Sequence, residues 1–121
     1  MKLDTILLGT VVIVGAFALN SFGKTKGDQI TADQLRNAAV IDVRTAVEYQ
    51  SGHYPNAINV PLDQIDASIS KLKAEKRPII VYCRSGRRSE EAKSKLAAAG
   101  IAAKNGINQS TLEVILKPSS K

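Results

Sequence analysis

Three short β-branched runs, each followed by a helical pattern, constrain this chain more than any other feature of its sequence. Val40-Ile41-Asp42-Val43 leads into Thr45-Ala46-Val47-Glu48, the Thr-x-x-Glu capping box that opens a helix. Ala57-Ile58-Asn59-Val60 follows a turn over Gly52 to Pro55, and Leu62, Ile65, Ile69 and Leu72 then recur at helical spacing on one face. Arg77-Pro78 breaks that pattern. Ile79-Ile80-Val81-Tyr82 reads as a fully buried strand, and the Ala-rich stretch from Ser89 to Ala99 ends at Gly100, a helix C′ residue. Parallel strands need long crossover connections, and helices supply them. The expected fold is therefore α/β, a doubly wound parallel sheet with helices on both faces, in a single small domain. In such sheets a ligand lies beyond the carboxyl ends of the strands. Residues 83–88 occupy that place.

Ahead of the domain, Ile6 to Leu19 carries no charge. A bilayer span needs about 20 apolar residues and an export signal roughly 7–15 with a small-residue cleavage site. Ala16-Phe17-Ala18 supplies such a site, while Asn20, Ser21 and Phe22 can extend the run into a short anchor. Residues 1–22 thus read as a signal peptide or an N-terminal membrane anchor through residues 6–22. Either places the rest in the cell envelope, periplasmic or membrane-anchored, outside the cytoplasm. Residues 23–29, GKTKGDQ, read as a polar linker, 30–116 as the domain and 117–121 as a polar tail.

Seventeen Lys and Arg against eleven Asp and Glu give a formal charge of +6, which favours anionic partners without choosing among them. Beyond residue 22 the aromatics are Tyr49, Tyr54 and Tyr82, scattered singly, so the interleaved stacking residues of a nucleic-acid surface are missing. One Cys and one His exclude an intramolecular disulfide and a zinc site built from those ligands. No metal and no cofactor are expected.

After the third strand the chain runs Cys83-Arg84-Ser85-Gly86-Arg87-Arg88 and enters a helix at Ser89-Glu90-Glu91. A loop in this setting can turn successive amides inward as an anion nest, with the positive end of the helix dipole behind them. Gly86 permits the turn. Amides, helix terminus and up to three guanidiniums all favour the thiolate, so Cys83 is expected to be nucleophilic rather than the inert buried residue that free Cys usually is. At least one of Arg84, Arg87 and Arg88 is expected to be solvated surface only.

The C-x-x-G-x-R loop, together with the stretch IDVRTAVEYQSGHYPNAINVPL, resembles the rhodanese sulfurtransferases, in particular their small exported single-domain type. The resemblance runs from about Ile30 to Gly100. It implies a rhodanese-like fold in which Cys83 takes a sulfane sulfur from a small anionic donor such as thiosulfate. The resulting persulfide passes the sulfur to a thiol or cyanide acceptor, with Arg84, Ser85, Gly86, Arg87 and Arg88 as the cradle. Two departures stand out. Where relatives commonly carry Ile-Pro-Gly-Ala, this chain has Tyr54-Pro55-Asn56-Ala57, and Asn substitutes for Gly at a positive φ. Near the end, Asn105-Gly106 stands for the usual Gly-Gly turn with no downstream Trp, so the sequence leaves open whether the last strand and helix are kept or reduced. Asp42, Arg44, Glu48 and His53 read as structural: Arg44 and Glu48 four apart can pair, Asp42 can hold backbone or an Arg, and His53 can satisfy backbone groups.

Three rival functions share parts of this pattern. A dual-specificity phosphatase of related fold needs a C-x5-R loop, and here the loop is one residue short, with Ser at position 89. A non-catalytic sulfur-carrier or protein-binding module does not need the nucleophile that Cys83 supplies. An intramolecular redox switch lacks a second Cys to resolve a sulfenic acid.

Overall fold

The protein is described here by a computed structural model covering residues 27–117. The segment read as signal peptide or anchor, most of the linker and most of the tail lie outside the described residues. Four parallel strands form one sheet in the order β2-β1-β3-β4: β1 (Ala39–Asp42), β2 (Ile58–Asn59), β3 (Ile79–Cys83) and β4 (Ala103–Asn108). The helices among the described residues are α1 (Ala32–Arg36), α2 (Ala46–Gln50), α3 (Ile69–Lys73), α4 (Arg87–Ala98) and α5 (Gln109–Leu116).

The central strands β1 and β3 are buried along their whole length, as befits strands covered on both faces. Their side chains alternate between two cores. Ala39, Ile41, Ile79, Val81 and Cys83 pack with Ile65, Leu72, Ala92 and Leu96, beneath α3 and α4. Val40, Ile80 and Tyr82 pack with Leu35, Tyr54 and Leu112, beneath α1 and α5. The sheet is doubly wound, as the strand–helix pattern implies. Pairing of Val40 with Ile80 and Ile41 with Val81 sets β1 and β3 in step, so both end at one edge.

Local chemistry explains the helix starts. The expected capping box forms: Thr45 Oγ1 accepts the Glu48 N–H at 3.2 Å while Glu48 Oε1 accepts the Thr45 N–H at 2.9 Å. Thr31 and Gln34 build a second box ahead of α1, a helix the strand–helix pattern did not include. The Leu62-to-Leu72 face is divided rather than continuous. Two 3-10 turns, Leu62–Gln64 and Asp66–Ser68, precede the five-residue α3, yet Ile65 and Leu72 still bury as expected. Three-residue spacing satisfies a 3-10 turn as well as an α-helix.

The carboxyl-terminal part is not reduced. β4 has six residues and α5 eight. AKNGIN has little intrinsic strand preference, and β4 exists because Ile79, Ile80 and Val81 of β3 pair with Ala103, Lys104 and Asn105. The positive φ falls on Ile107 (+70°), one residue beyond the glycine. Gly106 is there for space: a Cβ on it would lie 2.6 Å from Leu112 Cδ2 and 3.2 Å from Ile80 Cγ2. Asn56, by contrast, has the positive φ (+67°) expected of it. Asp28 and Gln29, read as the end of a linker, are held on β4. Asp28 N–H donates to Asn105 O at 3.1 Å, Asp28 Oδ2 accepts the Asn105 N–H at 2.8 Å, and Lys104 Nζ donates to Gln29 O at 2.7 Å.

Candidate active site

Cys83 is the last residue of β3, and α4 begins four residues later. Gly86 is the N-cap of α4 in a left-handed conformation, φ +96°, which other residues adopt only under strain. That turn folds the loop back over the sulfur. Sγ accepts the Gly86 N–H at 3.1 Å and the Ser89 N–H at 3.4 Å, and it lies 3.4 Å from Ser89 Oγ. Burial alone would push the thiol up. The Ser89 hydroxyl and the amides of Ser89, Gly86 and Ser85 outweigh it, so Cys83 titrates below the ordinary range.

The direction and the part played by the amides are the expected ones, the Ser89 hydroxyl is an addition, and of the three guanidiniums only that of Arg88 is coupled by charge to the sulfur. Arg84 and Arg87 are exposed, and among the described residues their guanidiniums have no hydrogen-bond partner. Arg88 is engaged with Glu48 in a two-pronged pair, Nη1 to Oε1 at 2.9 Å and Nη2 to Oε2 at 3.1 Å. The Ser85 hydroxyl faces its own loop and accepts the Arg87 N–H at 3.3 Å. Ser85, Arg87, Arg88 and Glu91 bound an open hollow of about 340 Å³ at the loop rim.

Of the residues read as structural, Asp42 and His53 make the kind of contact expected of them, and Arg44 and Glu48 have other partners than each other. Arg44 does not pair with Glu48. It grips the fully buried Asp42, Nε to Oδ1 at 2.9 Å and Nη2 to Oδ2 at 2.6 Å, because the backbone turns at Arg44 and brings the two side chains together. Glu48 instead points across to α4 and takes Arg88. Tyr82 O–H donates to Asp42 Oδ2 at 2.8 Å and accepts the Tyr54 N–H at 2.9 Å. Burial, with that bond to Asp42, pushes the Tyr82 phenol up to about 12. His53 stacks on Tyr49, ring centroids 3.7 Å apart, with Nδ1 2.8 Å from Tyr49 O.

Ser89 and Asn105 were missed as site residues. Both are fully buried. Asn105 reaches from β4 to the underside of the loop: its Nδ2 donates to Gly86 O at 3.1 Å and to Glu90 Oε1 at 2.9 Å, and its Oδ1 accepts from Ser89 Oγ at 2.7 Å. The available signal was a small hydroxyl one place beyond the loop, on the inward face of the first helical turn.

Strand, amide-lined loop and helix define a small α/β protein with a buried cysteine whose sulfur accepts the amides of its own loop. Residues 28–109 match the family described as Rhodanese-like domain, more than half of the chain, and the chain belongs to that family. It is 39% identical over 61 residues to the thiosulfate sulfurtransferase PspE of Escherichia coli, covering 50% of this chain and 59% of that protein. To the putative sulfur carrier protein YrkF of Bacillus subtilis it is 32% identical over 72 residues, covering 60% of this chain and 37% of that protein. The chain thus spans less than two thirds of either curated relative. Among solved structures, a rhodanese with anions from E. coli superposes with a TM-score of 0.56 at 33% identity, covering 61% of this chain and 89% of that one.

Proposed function

We propose that this protein is a sulfurtransferase that carries a sulfane sulfur on Cys83, from thiosulfate or a similar anionic donor to a thiol or cyanide. The observation that carries the reading is the closed loop in which the Gly86 and Ser89 amides both donate to Sγ. A thiolate held this way attacks the outer sulfur of thiosulfate. A new S–S bond forms, the bond to the sulfite sulfur breaks, and sulfite leaves with the electron pair. The acceptor then attacks the outer sulfur of the persulfide, and the electron pair of that S–S bond returns to Sγ. Neither half needs a general base once the thiol is ionised. Exposed Arg84 and Arg87 at the rim add positive charge where the anions enter and leave. Cys83 is only 2% exposed, which suits a slender sulfane sulfur. The match to a thiosulfate sulfurtransferase supports the same reading.

A phosphatase is disfavoured by residue 89. The position at which its loop would carry Arg holds a buried Ser bonded beneath the sulfur. Intact-mass measurement after thiosulfate treatment should show one added sulfur on the wild-type chain and none on Cys83→Ser, and cyanide should then remove it as thiocyanate. A wild-type chain that stays unlabelled, or that releases phosphate from an aryl phosphate, defeats the proposal. A chain that loads but yields nothing to cyanide or small thiols is a carrier like the one YrkF is named for.

A further inference from the structure

Behind the sulfur, one hydroxyl proton has two claimants. Ser89 Oγ donates to Asn105 Oδ1 at 2.7 Å and lies 3.4 Å from Cys83 Sγ. A hydroxyl has a single proton to donate. While it points at Asn105, the contact with sulfur requires the thiol S–H to donate to Oγ. Once Cys83 is a thiolate, no proton lies between the two atoms, and a lone pair of Oγ would face a negative sulfur. Rotation of the Ser89 hydroxyl about its C–O bond removes that repulsion and gives the thiolate a third donor beside the two amides. Asn105 tolerates the loss, because Oδ1 also accepts the Ile107 N–H at 2.9 Å. Its amide stays fixed throughout by Gly86 O and Glu90.

Building on the sulfurtransferase reading, we propose that Ser89 is a two-position switch that donates to Asn105 while Cys83 is a thiol or persulfide and to Sγ while Cys83 is a thiolate. In the persulfide Sγ is bonded to the outer sulfur, which takes the negative charge, and the hydroxyl returns to Asn105. The switch therefore stabilises Cys83 as a leaving group and favours sulfur release over retention. Ser89 touches the reacting atom, and Asn105 acts through Ser89 as a positioning residue. Arg84 and Arg87 on the loop itself, Glu91 beside it, Arg88 with its partner Glu48, Glu90 on the Asn105 amide, the Asp28–Lys93 pair behind β4 and the Asp42–Arg44 pair at the end of β1 are the charged groups around the loop. Arg88, Glu48, Asp28 and Arg44 are each held in one charge state by a partner, and none of the set is altered by the variants below.

The test uses the full chain and two probes. Iodoacetamide trapping across pH reads the thiolate with no sulfur donor, and cyanide added to the thiosulfate-loaded chain reads release. Ser89→Ala should move the trapping midpoint up by about one pH unit, a tenfold loss of thiolate at a fixed pH below it. Release should slow about threefold, since a more basic thiolate leaves more slowly. Ser89→Thr, which keeps the hydroxyl, should hold the wild-type midpoint. In the wild-type chain the Ile107 amide proton should titrate with the thiol, because Ile107 shares the Asn105 oxygen that Ser89 vacates, and this measurement decides the matter should Ser89→Ala fail to fold. An unmoved midpoint in folded Ser89→Ala, or an Ile107 resonance indifferent to thiol ionisation, overturns the switch. A wild-type chain that takes no sulfur while the midpoint still shifts overturns the sulfurtransferase reading and leaves the switch supported.

Discussion

Tyr82 is the residue through which the two central strands hold their loops in one place. Its hydroxyl joins the Tyr54 amide to the Asp42 carboxylate, and Arg44 lies over its ring at 5.6 Å while gripping the same carboxylate. Asp42 also accepts the Arg44 N–H at 2.9 Å, so the charge is buried with every polar atom occupied. Tyr82→Phe strips one partner from each end and leaves the Tyr54 amide without its acceptor. The expected cost is about 1–3 kcal/mol, read as a lower midpoint in urea unfolding with an unchanged slope. A loss under about 0.5 kcal/mol would show that the hydroxyl joins nothing of consequence, since surface substitutions stay within that band. The place of Cys83 at the end of a strand and the turns at Gly86 and Asn56 were legible because they follow from residue type and local context. Tyr82, Ser89 and Asn105 were not, because each acts through a partner 16 to 40 residues away.

At the scale of elements, the helix and strand positions follow the apolar pattern closely except where tertiary pairing replaces it. β3 is a continuous apolar run and β1 is one up to Asp42 at its end, as suits parallel strands buried on both faces. β4 and α5 depend on each other instead. Asn108 ends one and caps the other, its Oδ1 accepting the Thr111 N–H at 2.9 Å, and Leu112 of α5 sits against the bare backbone of Gly106. Gly106→Ala should therefore force α5 off the sheet at a cost of about 1–3 kcal/mol, seen as a lower thermal midpoint with the strand content retained. Full stability in that variant would mean that the close approach of Leu112 to β4 is dispensable.

The described residues form two apolar layers closed around one sheet, with the Glu48–Arg88 ion pair linking elements at the loop-bearing end. The Arg88 guanidinium and the Thr45 amide hold the Glu48 carboxyl at about 2, below the ordinary carboxylate value of 4.5. A lowered carboxylate value means that folding favours the charged form. This contribution is complete above about pH 4.5 and disappears as pH falls towards 2. Urea midpoints should decline across that window, and Glu48→Gln should flatten the decline while lowering stability near neutrality. The same steepness in the variant would assign the acid sensitivity elsewhere, for instance to Glu75, which Arg77 holds at a similar value.

What the sequence determined by itself was the parallel α/β architecture, the carboxyl-end position of the loop and the place of its one cysteine at the loop's start. Apolar periodicity, capping chemistry and crossover geometry are local rules, and they act before any long-range contact forms. Only the tertiary structure decided which donors surround the sulfur, that Arg88 belongs to Glu48, and that Asn105 supports the loop from beneath. A hydrogen bond depends on distances of a few tenths of an ångström between groups far apart in the chain, and those distances exist only once both cores have closed.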